Sequence, residues 1–351
     1  MIFPWLVDKP NGRKLHDDAV PLIGGLVIYL TLLSMGLIFL VNTVAVTAYF
    51  VSAGLLTVVG MLDDWFGLTV RARVLCSFIA TSIMMYWSGL IFTNLGNLLG
   101  MGDITMPLLV AIPFTLIACF GIINALNMID GLDGLSAGIT IIALASILIS
   151  MEFHSRLRDV IIILTAAILA FQSFNLQLIS REQKIFMGDA GSMMIGFTLI
   201  MMICYCSHAT ATRGPRFEPV TGLFFVGLPL IDMISTVLRR IKKGNSPFKP
   251  DRTHAHHILL CAGFSPRQTL IILLIIAALI NGIGILLNYL AMPAWLQFAL
   301  FLMVFVVYYQ GIQHEFKLSC LSKKVSAKTV ISSQLVNQRV KDSETHTNGI
   351  K

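Results

Sequence analysis

Long stretches of this chain carry no charged side chain, and nothing else in the sequence restricts its fold as much. The windows 22–42, 105–126, 134–151, 160–176, 190–207 and 293–313 all lack Asp, Glu, Lys and Arg. About 17 to 25 consecutive apolar residues in a helix cross a hydrocarbon core roughly 30 Å thick. The composition agrees, with 56% hydrophobic and only 12% charged residues, against about 25% charged in an ordinary soluble domain. So much apolar surface does not fit inside one water-soluble core. The sequence therefore specifies an all-α polytopic membrane protein.

Hydropathy sets ten expected spans at 22–42, 45–62, 74–93, 105–126, 134–151, 159–176, 190–208, 219–238, 269–288 and 293–312. With the N-terminus inside, only Arg156, Arg158, Arg213 and Arg216 of the 25 Lys and Arg residues fall on the outer side. That asymmetry follows the positive-inside rule. The net charge of +7 is thus a mark of topology and of contact with membrane lipids, with no nucleic-acid partner implied. Residues 1–313 form the integral-membrane domain. The polar stretch 314–351 is expected to be a partly disordered cytoplasmic tail. The six cysteines have neither disulfide nor zinc spacing.

The acidic residues gather on one side. Asp63 and Asp64 follow the second span, Asp130 and Asp133 the fourth, and Asp189 the sixth, while Asp232 lies inside the eighth. All face the cytoplasm in the expected topology. An Asp at a helix end is often a solvated cap, but an adjacent pair of like charges is costlier. A carboxylate within a span marks function by default, although Asp232 could instead pair with Arg239 or Arg240.

In "NALNMIDGLDGL" (124–135) the amides of Asn124 and Asn127 share a helix face. Gly131 and Gly134 then end the helix and let a ligand approach the backbone. Amide and carboxylate oxygens are hard donors suited to Mg²⁺ or Mn²⁺, and Asp also suits a base or ribose. In "GDAGS" (188–192) Asp189 opens an apolar helix, whose free N–H groups favour an anion. "DRTHAHH" (251–257) sets Arg252 beside His254, His256 and His257, a set better matched to diphosphate than to zinc. Carboxylates, an amide, Arg, His and glycines at an inner membrane surface together fit phosphoryl transfer. No GxxxxGK[ST] phosphate loop appears. A transporter would place its polar groups nearer the bilayer midplane.

These motifs resemble the bacterial polyprenyl-phosphate N-acetylhexosamine-1-phosphate transferases of the glycosyltransferase 4 family. The matching stretches are "VDKPNGRKLH…PLIGG" (7–25), "LDDWFGL" (62–68), "NALNMIDGLDGLSAG" (124–138), "FMGDAGS" (186–192) and "SPFKPDRTHAHHILLCAGFSPRQ" (246–268). The resemblance implies transfer of a sugar-1-phosphate from a UDP-sugar to undecaprenyl phosphate, with release of UMP. The "PDRxHxHH" form is closest to the branch using UDP-N-acetylglucosamine, and another UDP-N-acetyl-hexosamine is the alternative. The resemblance further implies that Asn127 and Asp189 ligate Mg²⁺ (or Mn²⁺). Asp63 and Asp64 would lie at the lipid phosphate, with Asp63 as a base. Asp130 and Asp133 would meet the uridine, and Phe186 would stack on uracil. Arg252, His254, His256 and His257 would hold the diphosphate and sugar. A bacterial inner-membrane location and a homodimer are compatible with it. The family ordinarily has one more span ahead of "VDKP", hence ten expected spans instead of eleven. It often has Gln where this chain has Ser77.

Overall fold

The computed structural model describes residues 7–8, 20–39, 43–151, 156–179, 183–208, 217–247 and 253–312. Arg252 and the tail lie outside the described residues. Two short strands, β1 (Val7–Asp8) and β2 (Val20–Pro21), pair antiparallel with Val7 opposite Pro21. The helices follow as α1 (Gly24–Phe39), α2 (Val44–Phe66), α3 (Val70–Ser88), α4 (Leu108–Ile129), α5 (Leu135–Ile149), α6 (Arg156–Asn175), α7 (Gly188–Ser207), α8 (Pro219–Phe225), α9 (Gly227–Lys242), α10 (Ala255–Cys261) and α11 (Pro266–Tyr289). A last helix, α12, spans Ala294–Ile312.

Local sequence explains the helix ends. Thr43 and Thr69 cap α2 and α3 by accepting from the N–H groups of Val46 and Ala72, which relieves orphan donors of the first turn. Gly67 and Gly89 close the same helices with φ of 65° and 70°, values that cost glycine nothing. Ser265 and Gln268 form a reciprocal capping box at α11, with Pro266 in the first turn.

Each expected span contains a helix, but their lengths differ. Six helices among the described residues (α2, α4, α6, α7, α11 and α12) are long and apolar enough to cross a membrane, or seven if α8 and α9 count as one span. Helices α1 and α5 run only 16 and 15 residues. Helix α5 begins at Leu135, directly after Gly134, whose φ is 75°. The expected span 219–238 is broken at Val226, where α8 and α9 meet at 82°.

Helix α7 is the centre of the bundle, and nearly all of it is buried. Small residues let its neighbours approach. A Cβ at Gly25 of α1 would run into the Gly191 backbone, and one at Gly60 of α2 into that of Ala190. Gly196 of α7 likewise leaves room for α4, as its Cβ would stand 2.8 Å from Ile123 Cα. Such close packing stands in for a hydrophobic drive between helices, which lipid does not supply. The consequence is positional: the start of α7 is drawn in beside the start of α1 and the last turns of α2.

Candidate active site

The ends of α2, α4 and α6, the start of α7, and α10 meet at one end of the bundle. Asn127, in the last turn of α4, donates through Nδ2 to Asp189 Oδ1 at 2.6 Å and to Ser192 Oγ at 3.0 Å. The two residues expected to share a metal are therefore in direct contact, although 62 positions apart in the chain. Asn124 donates to the Phe120 carbonyl of its own helix and so braces α4.

The neighbouring carboxylates Asp63 and Asp64 divide their work. Asp64 accepts from the backbone N–H of Asp189 at 3.0 Å and of Ala190 at 3.4 Å. It caps α7 from another helix, where a negative charge is favoured by the helix dipole. The anion that the sequence led one to expect at this helix start is, in the structure, the Asp64 carboxylate. Gly188 makes the approach possible, because a Cβ there would stand 2.5 Å from Asp64 Oδ2. Asp63, nearly buried, accepts from the Leu68 N–H at 2.7 Å and forms an ion pair with Arg73 at 3.1 Å.

A second group adjoins the first. Lys184 Nζ is 2.6 Å from Asp133 Oδ2 and lies 4.9 Å from the centroid of the Phe186 ring. The structure thus joins Asp133 and Phe186 and adds a cation between them. Asp130 lies close enough to the other carboxylates to respond to them. Burial first, then the charges of Asp189, Asp64 and Asp133, push its carboxyl up to about 8.

The histidines dock on this turn. His256 packs its ring on Gly131, where a Cβ would collide with it, which explains a glycine at that position. His256 stacks against His254 at 5.9 Å and lies 4.2 Å from His257. Both nitrogens of His256 are buried, with no hydrogen-bond partner among the described residues. Burial first, then His257, lowers its pKa to about 3.

His254 is held from behind. Its Nδ1 is 2.8 Å from Asp232 Oδ2, and the other Asp232 oxygen accepts from the Ala255 N–H at 3.0 Å and the Tyr308 hydroxyl at 2.9 Å. Asp232 therefore pairs with His254, not with Arg239 or Arg240. Arg239 donates instead to Thr236 and to the Thr253 carbonyl, while Arg240 donates to the Pro247 carbonyl. Ser77, at the position of the family's Gln, is buried in α3, and its hydroxyl has no partner among the described residues.

Among the described residues no three His, Cys, Asp or Glu side chains are grouped to hold a metal ion. A zinc-type cage is thus not what these side chains form. One carboxylate and one amide in contact, within an excess of negative charge, do fit Mg²⁺, which typically takes one or two protein oxygens and completes its shell with substrate and water.

The fold and this site define a class: a polytopic helical membrane protein with an acidic, histidine-bearing centre at one end of its bundle. Residues 46–207 match glycosyl transferase family 4. The chain is 36% identical over 332 residues to the undecaprenyl-phosphate alpha-N-acetylglucosaminyl 1-phosphate transferase of Escherichia coli strain K12, covering 91% of this chain and 87% of that protein. A protein of the same name from Pasteurella multocida is 37% identical over 317 residues, covering 90% and 88%. The Yersinia pestis one is 36% identical over 326 residues, covering 91% and 87%. The chain belongs to glycosyl transferase family 4.

Sequence reasoning missed Lys184, Asn175, Arg73 and Tyr308. Lys184 sits two positions from Phe186, so in an extended segment both point the same way, and that spacing was a usable signal. Tyr308 reaches Asp232 across 76 residues, and no local pattern announces it.

Proposed function

We propose that this chain transfers N-acetylglucosamine-1-phosphate from UDP-N-acetylglucosamine to undecaprenyl phosphate at the cytoplasmic face of a bacterial inner membrane. The observation that carries the reading is the meeting of Asn127–Asp189, Asp133–Lys184–Phe186 and the His254–His256 stack at one end of an apolar bundle. The names of the relatives point to the same reaction, and the skew of Lys and Arg supports the cytoplasmic side.

In this reading an oxygen of the lipid phosphate attacks the sugar-bearing phosphorus of the donor. The bond to the uridylyl phosphate breaks and UMP leaves with its electron pair. One phosphoanhydride forms as another is lost. A phosphate monoester is already largely ionised near pH 7, so the acceptor needs no strong base. Asp63, already engaged by Arg73 and Leu68, serves to hold Arg73 toward the acceptor. Asp133 and Phe186 take the uracil. His254 and His256, fixed by Asp232 and Gly131, take the diphosphate, a role the sequence also gives to Arg252. Asn127 and Asp189 would hold Mg²⁺, which when bound offsets the charge building on the phosphates.

The test is UMP release by the purified chain with undecaprenyl phosphate and a panel of UDP-sugars. Release from UDP-N-acetylglucosamine that requires Mg²⁺ and is lost in Asp189→Ala is expected. Release from a different UDP-sugar and none from this one would overturn the substrate assignment.

A further inference from the structure

The extended segment between α6 and α7 separates two environments. Its residues alternate: Gln183 and Ile185 line an apolar cavity of about 610 Å³ between α1 and α6, while Lys184 and Phe186 meet each other on the side of Asp133. That is the side-chain alternation of a strand.

The segment is fixed along its length. The Phe186 N–H donates to the Pro21 carbonyl at 2.9 Å, and the Gly24 and Gly25 N–H groups donate to the carbonyls of Phe186 and Met187 at 3.0 and 2.9 Å. From the other side, buried Asn175 at the end of α6 donates to the Ile185 carbonyl at 2.9 Å and accepts from the Gly134 N–H at 2.7 Å. Asn175 therefore ties the segment carrying Lys184 to the residue next to Asp133. Such a clasp fixes the backbone that carries Lys184, whose ammonium sits between Asp133 and the Phe186 ring.

We infer that Lys184 is the positioning residue of the nucleobase subsite, holding the Asp133 carboxylate and the Phe186 ring in one fixed relation for a uracil base. The inference rests on the reading of Asp133 and Phe186 given above and adds how their geometry and base preference arise. Lys184 takes Asp133 Oδ2 at 2.6 Å and leaves Oδ1 as an acceptor, with the side chain 43% exposed toward an incoming ligand. An acceptor at that edge suits the imide N–H of uracil. It opposes cytosine, whose corresponding ring nitrogen is itself an acceptor. The ammonium beside the ring keeps the stacking surface at a set distance from that acceptor. With Lys184 gone, Asp133 becomes a half-exposed carboxylate without a fixed direction, and the pyrimidine preference goes with it.

The test is calorimetric binding of UMP and CMP to the full chain in detergent, for wild type, Lys184→Met and Lys184→Arg. Wild type is expected to prefer UMP. Lys184→Met should weaken UMP about tenfold, the scale of removing an ion pair and a cation–π interaction together, while leaving CMP nearly unchanged. Lys184→Arg should restore most of the preference. In turnover the Met variant should raise KM for the UDP-sugar and leave kcat and the KM for the lipid phosphate unaltered. If the Met variant does not fold, Lys184→Gln takes its place. Equal losses for UMP and CMP, or no change for UMP, would overturn the role of Lys184. A wild-type chain that binds no UMP would instead overturn the donor-site reading beneath it.

Discussion

Asp232 gives the sharpest test of how the histidines are held. It is 1% exposed and its two oxygens serve three donors: the His254 ring, the Ala255 N–H and the Tyr308 hydroxyl. Asp232→Ala strips all three of their acceptor in a buried setting. Each orphaned group costs about 1–3 kcal/mol, so three of them give at least about 3 kcal/mol. Melting in detergent should fall by about 10 °C, a few degrees per kcal/mol for a chain of this size. Asp232→Asn separates positioning from stability. Its amide oxygen can still accept from Ala255 and Tyr308 while its NH₂ faces His254. The His254 Nδ1 must then accept, which moves the ring proton to Nε2 and presents the wrong tautomer at the site. The Asn variant should melt within a few degrees of wild type yet transfer sugar phosphate about 100-fold more slowly, as is typical when the partner that orients a functional His is removed. Measured at saturating donor and acceptor, wild-type turnover by Asp232→Asn would refute the positioning argument. An unchanged melting temperature in Asp232→Ala would refute the energetics.

Three further outcomes follow from the site. Gly131→Ala places a Cβ against the His256 ring and should cut turnover at least about tenfold with a loss of stability near 1 kcal/mol; turnover and melting are the readouts. Asp130 has its pKa raised from 3.8 to about 8, so between those values the folded chain holds a proton that the unfolded chain has released, and the stability cost grows with pH until about 8. Asp130→Asn should therefore raise the melting temperature, by an increment that widens from pH 5 to pH 8 and then levels off. Asp64→Ala vacates the start of α7, which then has N–H donors for an inorganic anion. Sulfate should raise the melting temperature of this variant more than that of wild type.

The membrane-spanning character was legible because it depends on long charge-free runs, which need only counting. The break between α8 and α9 was not, because "PVTGLFFVGLPLIDM" (219–233) is apolar almost throughout. The physical cause lies in Gly227 and Pro229, since a proline offers no N–H to the carbonyl four residues back. In the site, residue types were legible and partners were not. The sequence marks Asp63 and Asp64 as an anomalous pair. Adjacent helical residues point about 100° apart, which sends one to Arg73 and the other to α7, but which goes where depends on how α2 crosses α7 at Gly60. Asp232 showed itself by its burial cost alone. Its partner His254 lies on a separate segment 22 positions away, and hydropathy sees no such pairing.

Glycine packing and phosphate chemistry are linked in this architecture. Gly25, Gly60 and Gly191 let α1, α2 and α7 close on one another, which brings Asp64 onto the N–H groups of Asp189 and Ala190. Because Asp64 occupies that helix start, a common phosphate cradle in proteins is already filled. In the proposed reading, anionic substrates are therefore held by cationic or protonatable side chains brought from elsewhere. In that reading they sit on separate supports: Arg73 on α3 beside Asp63, and the histidines at the start of α10 anchored by Asp232, while Lys184 on the clasped segment before α7 orders the nucleobase side. Each sits at a different edge of the carboxylate cluster. A two-substrate transfer requires that separation, since the nucleotide, the diphosphate and the acceptor phosphate must be gripped apart and yet meet at one phosphorus.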